Sequence, residues 1–144
     1  VHQTGAADED HVRAAYTAQG VNAVVGAFFD DMDHRYRQAD LIICRAGATT
    51  VAEITAVGKA ALFIPFPFAA DDHQRLNAEA LAAQGAAEMI EEKHLAAADL
   101  AQRIDRFAND RTAIDRMADQ ARKLGRPEAA RLIVDDCYEQ MKKR

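Results

Sequence analysis

Short apolar runs alternate with segments of helical period along this chain, which predicts β-α units around a parallel sheet and an α/β fold. Asp8 to Gln19 carries Val12, Ala15 and Tyr16 on one face of an amphipathic helix, and Gly20 supplies its stop. Val21 to Phe28 reads as a strand, followed by a loop at Phe29-Asp30-Asp31-Met32 and a short helix to Gln38. Leu41 to Cys44 is the next strand, and Thr49 to Val57 is the helix behind it, closed by Gly58. Ala61 to Ile64 forms a third strand, stopped by Pro65 and Pro67, neither of which can donate to a ladder. Asp71 or Asp72 caps a helix running through Asn77 to Gln84, and Gly85 ends it. Ala87 to Ile90 is a weak fourth strand. Three helices then follow without strands, Ala97 to Asn109, Thr112 to Leu124 and Glu128 to Lys143, the last after the break Gly125-Arg126-Pro127. The organisation expected is a partial parallel-sheet domain over residues 1–95, with the helices of residues 96–144 packing on the same domain.

Composition narrows the function classes. With 144 residues and 49% apolar content, the chain can build one core. Its net charge of −5 argues against a general nucleic-acid or anionic-membrane binder, which would present a basic face. The basic cluster Lys142-Lys143-Arg144 reads as a solvated helix end. Cys44 and Cys137 lack motif spacing and read as reduced cytosolic thiols. No run approaches the roughly 18 apolar residues of a membrane span, and the N-terminus lacks a signal-peptide layout. The first residues, Val1-His2-Gln3-Thr4-Gly5, have no Met and the flavour of a strand end, so the chain reads as a fragment beginning inside a fold.

Candidate chemistry collects beyond the carboxyl ends of the strands, where open α/β sheets bind ligands. Three loops qualify: Phe28 to Met32, Arg45 to Thr50, and Pro65 to Gln74. In the second, Gly47-Ala48-Thr49-Thr50 opens a helix with small residues. That leaves backbone amides and the positive end of the helix dipole uncovered, a geometry that receives phosphate. A strand-to-helix turn with a threonine cap has the same look without any ligand. Glu53, one turn into that helix, suits a ribose diol rather than a phosphate. In the third loop, His73, Gln74 and Asn77 share a helical face and together supply donors and acceptors, as reading sugar hydroxyls requires. His73 with Asp71 and Asp72 falls short of the three or four convergent ligands of a metal site. Phe29 is either core or a flank for a base whose edge its backbone reads. No Ser-His-Asp or Cys-His constellation and no complete P-loop is present.

These blocks, Asp40-Leu41-Ile42-Ile43-Cys44-Arg45-Ala46-Gly47-Ala48-Thr49-Thr50-Val51-Ala52-Glu53, then Pro65-Phe66-Pro67, Asp71-Asp72-His73-Gln74 and Asn77-Ala78, closely resemble the MurG family. His2-Gln3-Thr4-Gly5 and Phe28 to Met32 also fit its pattern. The resemblance implies the Rossmann-like C-terminal, donor-binding domain of a two-domain GT-B glycosyltransferase. That family transfers N-acetylglucosamine from UDP to undecaprenyl-pyrophosphoryl-muramoyl-pentapeptide, lipid I, giving lipid II. It implies that the Phe29 backbone contacts uracil, that Glu53 binds the ribose, and that Gly47, Ala48, Thr49 and Thr50 hold the diphosphate and approach the sugar. His73, Gln74 and Asn77 would bind N-acetylglucosamine, with Arg45 near the site. It further implies no catalytic residue in this chain, no metal or other cofactor, and a missing N-terminal domain that binds lipid I and supplies the base. The chain alone is thus expected to be catalytically inert. The intact enzyme would be cytoplasmic and peripheral on the inner membrane. A sheet edge left open by truncation would invite self-association. Two alternatives stay open: the same fold serving another lipid acceptor, and a non-catalytic nucleotide-binding module.

Overall fold

A computed structural model describes residues 1–142 and divides into two compact units, one spanning Val1–Arg35 and the other beginning at Tyr36. Lys143 and Arg144 of the basic C-terminal cluster lie outside the described residues.

In the first unit, β1 (His2–Gln3) pairs in parallel with β2 (Val25–Gly26), and α1 (Glu9–Ala18) joins them. The expected strand from Val21 to Phe28 is thus cut to two residues. Its partner sets the limit: His2 N–H bonds to the Val24 carbonyl and Gly5 N–H to the Ala27 carbonyl. At Gly5 the backbone then turns into the left-handed region (φ 77°), so nothing is left to pair with. Polar side chains lock α1 to this ladder. Arg13 donates to the Val25 carbonyl (2.7 Å), and Glu9 accepts from the Ala27 amide (3.0 Å).

The boundary between units falls within α2 (Met32–Gln38). The second unit holds a three-stranded parallel sheet in the order β3 (Leu41–Cys44), β4 (Ala60–Phe63), β5 (Glu88–Met89). The register runs from Leu41 opposite Ala60 to Cys44 opposite Phe63, then Leu62 opposite Glu88. Parallel neighbours require crossovers, supplied by α3 (Ala48–Val57) and α4 (His73–Ala82). Gly58 closes α3 at φ 70°, its N–H returning to the Ile54 and Thr55 carbonyls. β4 begins one residue earlier than its expected start, because Ala60 pairs with Leu41.

All four residues of β4 are buried, so helices must cover both faces. Ala61 and Phe63 pack with Ile42, Ile54, Ala78, Leu81 and Ala121, while Ala60 packs with Phe107, Ile114 and Met117. The latter three come from α5 (Ala97–Asn109) and α6 (Arg111–Leu124), the first matching its expected bounds and the second starting one residue early. Asp110 caps α6 by accepting from the Ala113 amide (3.0 Å). α7 (Ala129–Lys142) buries no residue and leaves Ile133 and Tyr138 exposed. No helix among the described residues is long and apolar enough to cross a membrane.

Asp72 stands at the N-cap of α4, as expected of one of the two aspartates, but neither carboxylate makes the cap hydrogen bond. Both residues take left-handed backbone conformations (φ 49° and 56°) in a 3-10 turn. The Asp72 carboxylate instead pairs with the Arg75 guanidinium, a charged partner stronger than a neutral amide.

Two outcomes follow for stability. A Cβ on Gly125 would sit 2.4 Å from the Thr55 carbonyl oxygen, because the end of α6 presses on the α3 backbone. Gly125→Ala should therefore cost about 1–3 kcal/mol in urea unfolding; an unchanged midpoint would contradict that packing. Burial pushes the Cys44 thiol from its ordinary 9.0 up to about 12, and burial followed by the Glu53 charge moves the Tyr36 hydroxyl from 10.0 to about 12. Above pH 9 the unfolded chain therefore holds fewer protons than the folded one, and stability falls as pH rises toward 12. Thermal melts should show this decline, and a Cys44→Ala/Tyr36→Phe variant should show a shallower one.

Candidate functional site

The turn from β3 into α3 is built by Arg45, Ala46 and Gly47. Ala46 is fully buried, and Gly47 stands at the N-cap in extended conformation with no side chain over the helix end. Val51 is the first residue whose N–H returns to the turn, reaching the Gly47 carbonyl at 2.9 Å. The amides of Ala48, Thr49 and Thr50 consequently have no intrahelical acceptor. Ala48 and Thr49 are exposed and Thr50 is half-buried. Three amides without intrahelical acceptors and the helix dipole thus stand beyond the carboxyl end of β3, competent to take an anion.

Glu53 is exposed on α3 and makes no ion pair among the described residues. Its one hydrogen-bond partner there is Tyr36 of α2, whose hydroxyl donates to Glu53 Oε2 at 3.3 Å. The other oxygen stays available as an acceptor.

The third loop is tied to the second by two residues read as ligands. Asn77 Nδ2 donates to the Ala46 carbonyl (3.1 Å), joining α4 to the turn before α3. Arg45 Nη1 donates to the carbonyls of Ile64 (3.2 Å) and Pro65 (3.1 Å) and pairs with Glu92 (2.5 Å). Gln74 Oε1 accepts from the Phe66 amide (3.0 Å), and His73 Nδ1 lies 2.6 Å from the Ala70 carbonyl. Each of His73, Gln74 and Asn77 has one end fixed to backbone and a second polar atom left over: Nε2, the amide nitrogen, and Oδ1. Arg45 and Asn77 therefore tie the turn that leads into Gly47 to Thr50 to the loop after β4, and Gln74 holds that loop from the start of α4.

Phe29 belongs to the first unit. Its ring packs so closely on Gly26 that a Cβ there would lie 2.8 Å from it, and the Arg35 guanidinium stacks 3.7 Å from its centroid. Asp31 fixes Arg35 at 2.6 Å, and the Arg35 hydrogen bond holds the Asp31 carboxyl below its ordinary range. The ring is thus engaged on both sides, which leaves the backbone as the part of Phe29 able to read a ligand. At present its N–H donates to Gln3 Oε1 (2.9 Å).

Sequence reasoning missed Tyr36 and Glu92. Tyr36 stands four residues after Met32, a spacing that reads as a plain core stripe. Glu92 follows β5, so the strand-end criterion extends to its loop and finds it. A cleft of about 340 Å³ lined by Pro65, Phe66, Asp72, Arg75, Glu92 and Lys93 also lies here, but none of the ten candidate residues lines it. Among the described residues, no three His, Cys, Asp or Glu side chains converge as metal ligands do.

The profile of the glycosyltransferase family 28 C-terminal domain matches residues 1–133. A relative from Trichlorobacter lovleyi, named UDP-N-acetylglucosamine--N-acetylmuramyl-(pentapeptide) pyrophosphoryl-undecaprenol N-acetylglucosamine transferase, is 55% identical over 96% of this chain. A protein of the same name from Pelobacter propionicus is 52% identical over 94% of it. The chain spans only 36% of the length of each. The crystal structure of Acinetobacter baumannii MurG superposes with a TM-score of 0.84 at 37% identity, covering 93% of this chain and 41% of that one. The fold is accordingly Rossmann-like, parallel sheets flanked by helices, as the sequence implied. By that profile and those relatives, this chain belongs to the glycosyltransferase family 28 C-terminal domain family.

Proposed function

We propose that this chain is the donor-binding part of an inverting glycosyltransferase that moves N-acetylglucosamine from UDP to lipid I, giving lipid II. The observation that carries the reading is the α3 start: three amides without intrahelical acceptors, with a carboxylate one turn along the same helix. The names and similarity of the relatives support it.

In the reaction the amides of Ala48, Thr49 and Thr50 and the dipole of α3 take the diphosphate. Negative charge grows there as the glycosidic bond to UDP breaks, so fixed donors lower the barrier. Carrying that charge on amides leaves no role that demands a metal. Glu53 accepts from the ribose hydroxyls, and the Phe29 backbone reads the uracil edge. His73, Gln74 and Asn77 offer their remaining polar atoms to the sugar, and Arg45 fixes the Pro65 loop beside them. The base that activates the acceptor hydroxyl belongs to a separate N-terminal domain, which also receives lipid I. The intact protein works at the cytoplasmic face of the inner membrane, where that lipid presents its head group.

Calorimetric titration of the chain with UDP-N-acetylglucosamine, UDP-glucose and UDP tests the assignment. The N-acetylated sugar should bind best. Glu53→Ala should weaken every uridine nucleotide by about ten- to a hundred-fold, the range for losing a hydrogen bond to a charged group. Unchanged affinity in that variant would refute the ribose assignment.

A further inference from the structure

We propose that Tyr36 is a positioning residue for nucleotide recognition, holding one oxygen of the Glu53 carboxylate so that the other is presented to the ribose diol. The inference rests on the reading of Glu53 given above and adds a residue that this reading did not contain.

The geometry is asymmetric in a useful way. Tyr36 is half-buried, and its ring packs against the core cluster of Ile42, Ile54, Ala61 and Phe63, so α2 and the sheet fix where its hydroxyl points. Glu53 is exposed on α3, on a three-torsion side chain that free solvent would leave in many rotamers. The 3.3 Å contact from Tyr36 to Oε2 is the only hydrogen bond Glu53 makes among the described residues. It selects a rotamer and leaves Oε1 unoccupied. Tyrosine suits the task better than a cation. An arginine would engage both carboxylate oxygens in a bidentate pair and compete with the diol. A neutral hydroxyl occupies one oxygen and leaves the negative charge intact, so the free oxygen remains a strong acceptor. Burial and the neighbouring carboxylate keep the Tyr36 hydroxyl protonated well above neutral pH, so it stays a donor throughout the working range.

At 3.3 Å the bond is long for O–H···O, whose usual length is about 2.7–2.8 Å. A long bond biases the carboxylate without locking it, and the residual play allows both oxygens to settle on a diol. A tether between α2 and α3 that served packing alone would have no bearing on which sugar is bound. That difference separates the two roles by experiment.

The test compares UDP with 2′-deoxy-UDP on the full chain, in the wild type, Tyr36→Phe, Glu53→Gln and the double variant. Tyr36→Phe keeps the ring and its packing, and a thermal melt at neutral pH checks that the fold is retained. Tyr36→Phe should weaken UDP by about five-fold, the scale of one modest hydrogen bond. It should also move the UDP to 2′-deoxy-UDP preference toward that of Glu53→Gln, and add nothing in the double variant. Should Glu53→Gln lower the preference while Tyr36→Phe leaves it at the wild-type value, the positioning role is wrong and the ribose site stands. Loss of affinity in Tyr36→Phe with an unchanged preference equally overturns the proposal, since packing alone accounts for it. If wild type shows no UDP binding, or Glu53→Gln changes nothing, the site reading falls and takes this inference with it.

Discussion

Ala60, Ala61, Leu62 and Phe63 have no exposed surface, so β4 needs apolar cover on both faces and ladder partners on both edges. The rest of the second unit answers to that demand. Two parallel edges call for helical crossovers, and each crossover must leave a strand at its carboxyl end and turn back over the sheet. The turn after β3 and the loop after β4 therefore emerge side by side at one end. The amides at the start of α3 and the polar residues at the start of α4 are neighbours because the strands they follow, β3 and β4, are paired side by side. Asn77 then fastens the two together through the Ala46 carbonyl, and Arg45 does so through those of Ile64 and Pro65.

That fastening changes how the polar residues of the site are understood. Side chains that looked like ligand-reading groups divide their hydrogen-bonding capacity. One end holds backbone in place, and the other is left to face solvent. Preorganisation of this kind lowers the ordering cost when a ligand arrives, because loops that would otherwise be fixed on binding are fixed already. Glu53 follows the same pattern, with one oxygen on Tyr36 and one free. Phe29 follows it in the first unit, where Gly26 and Arg35 engage the ring and leave the backbone to act.

Elements whose signals are local were legible in the sequence. Leu41 to Cys44 and Ala97 to Asn109 have the expected bounds, because an apolar run closed by polar residues and a strong helical stripe each decide themselves. Gly58 ends α3 as its left-handed tolerance suggests. Signals that depend on a distant partner were not legible. The strand expected from Val21 is Val25–Gly26, the two residues that pair with His2 and Gln3, a distant partner that no signal within Val21 to Phe28 reveals. Asp71 and Asp72 looked like caps, yet Arg75 takes the Asp72 carboxylate. The candidate site divides likewise: the α3 start and Glu53 announce themselves by residue type and spacing. Tyr36 hides as one more apolar stripe position until the fold sets its hydroxyl beside Glu53, and the backbone ties of Arg45 and Asn77 cannot be read before the loops are placed.

The central claim is that the start of α3 is where this chain holds a nucleotide's diphosphate. Nitrogen-15 NMR of the labelled chain titrated with UDP tests it most directly, since each amide reports its own hydrogen bond. The account predicts that the largest shifts fall on Ala48, Thr49 and Thr50, moving downfield as their protons meet phosphate oxygens. Saturation with UDP that leaves those three amides unmoved, and gathers the shifts instead at Arg75 and Lys93 in the neighbouring cleft, would contradict it.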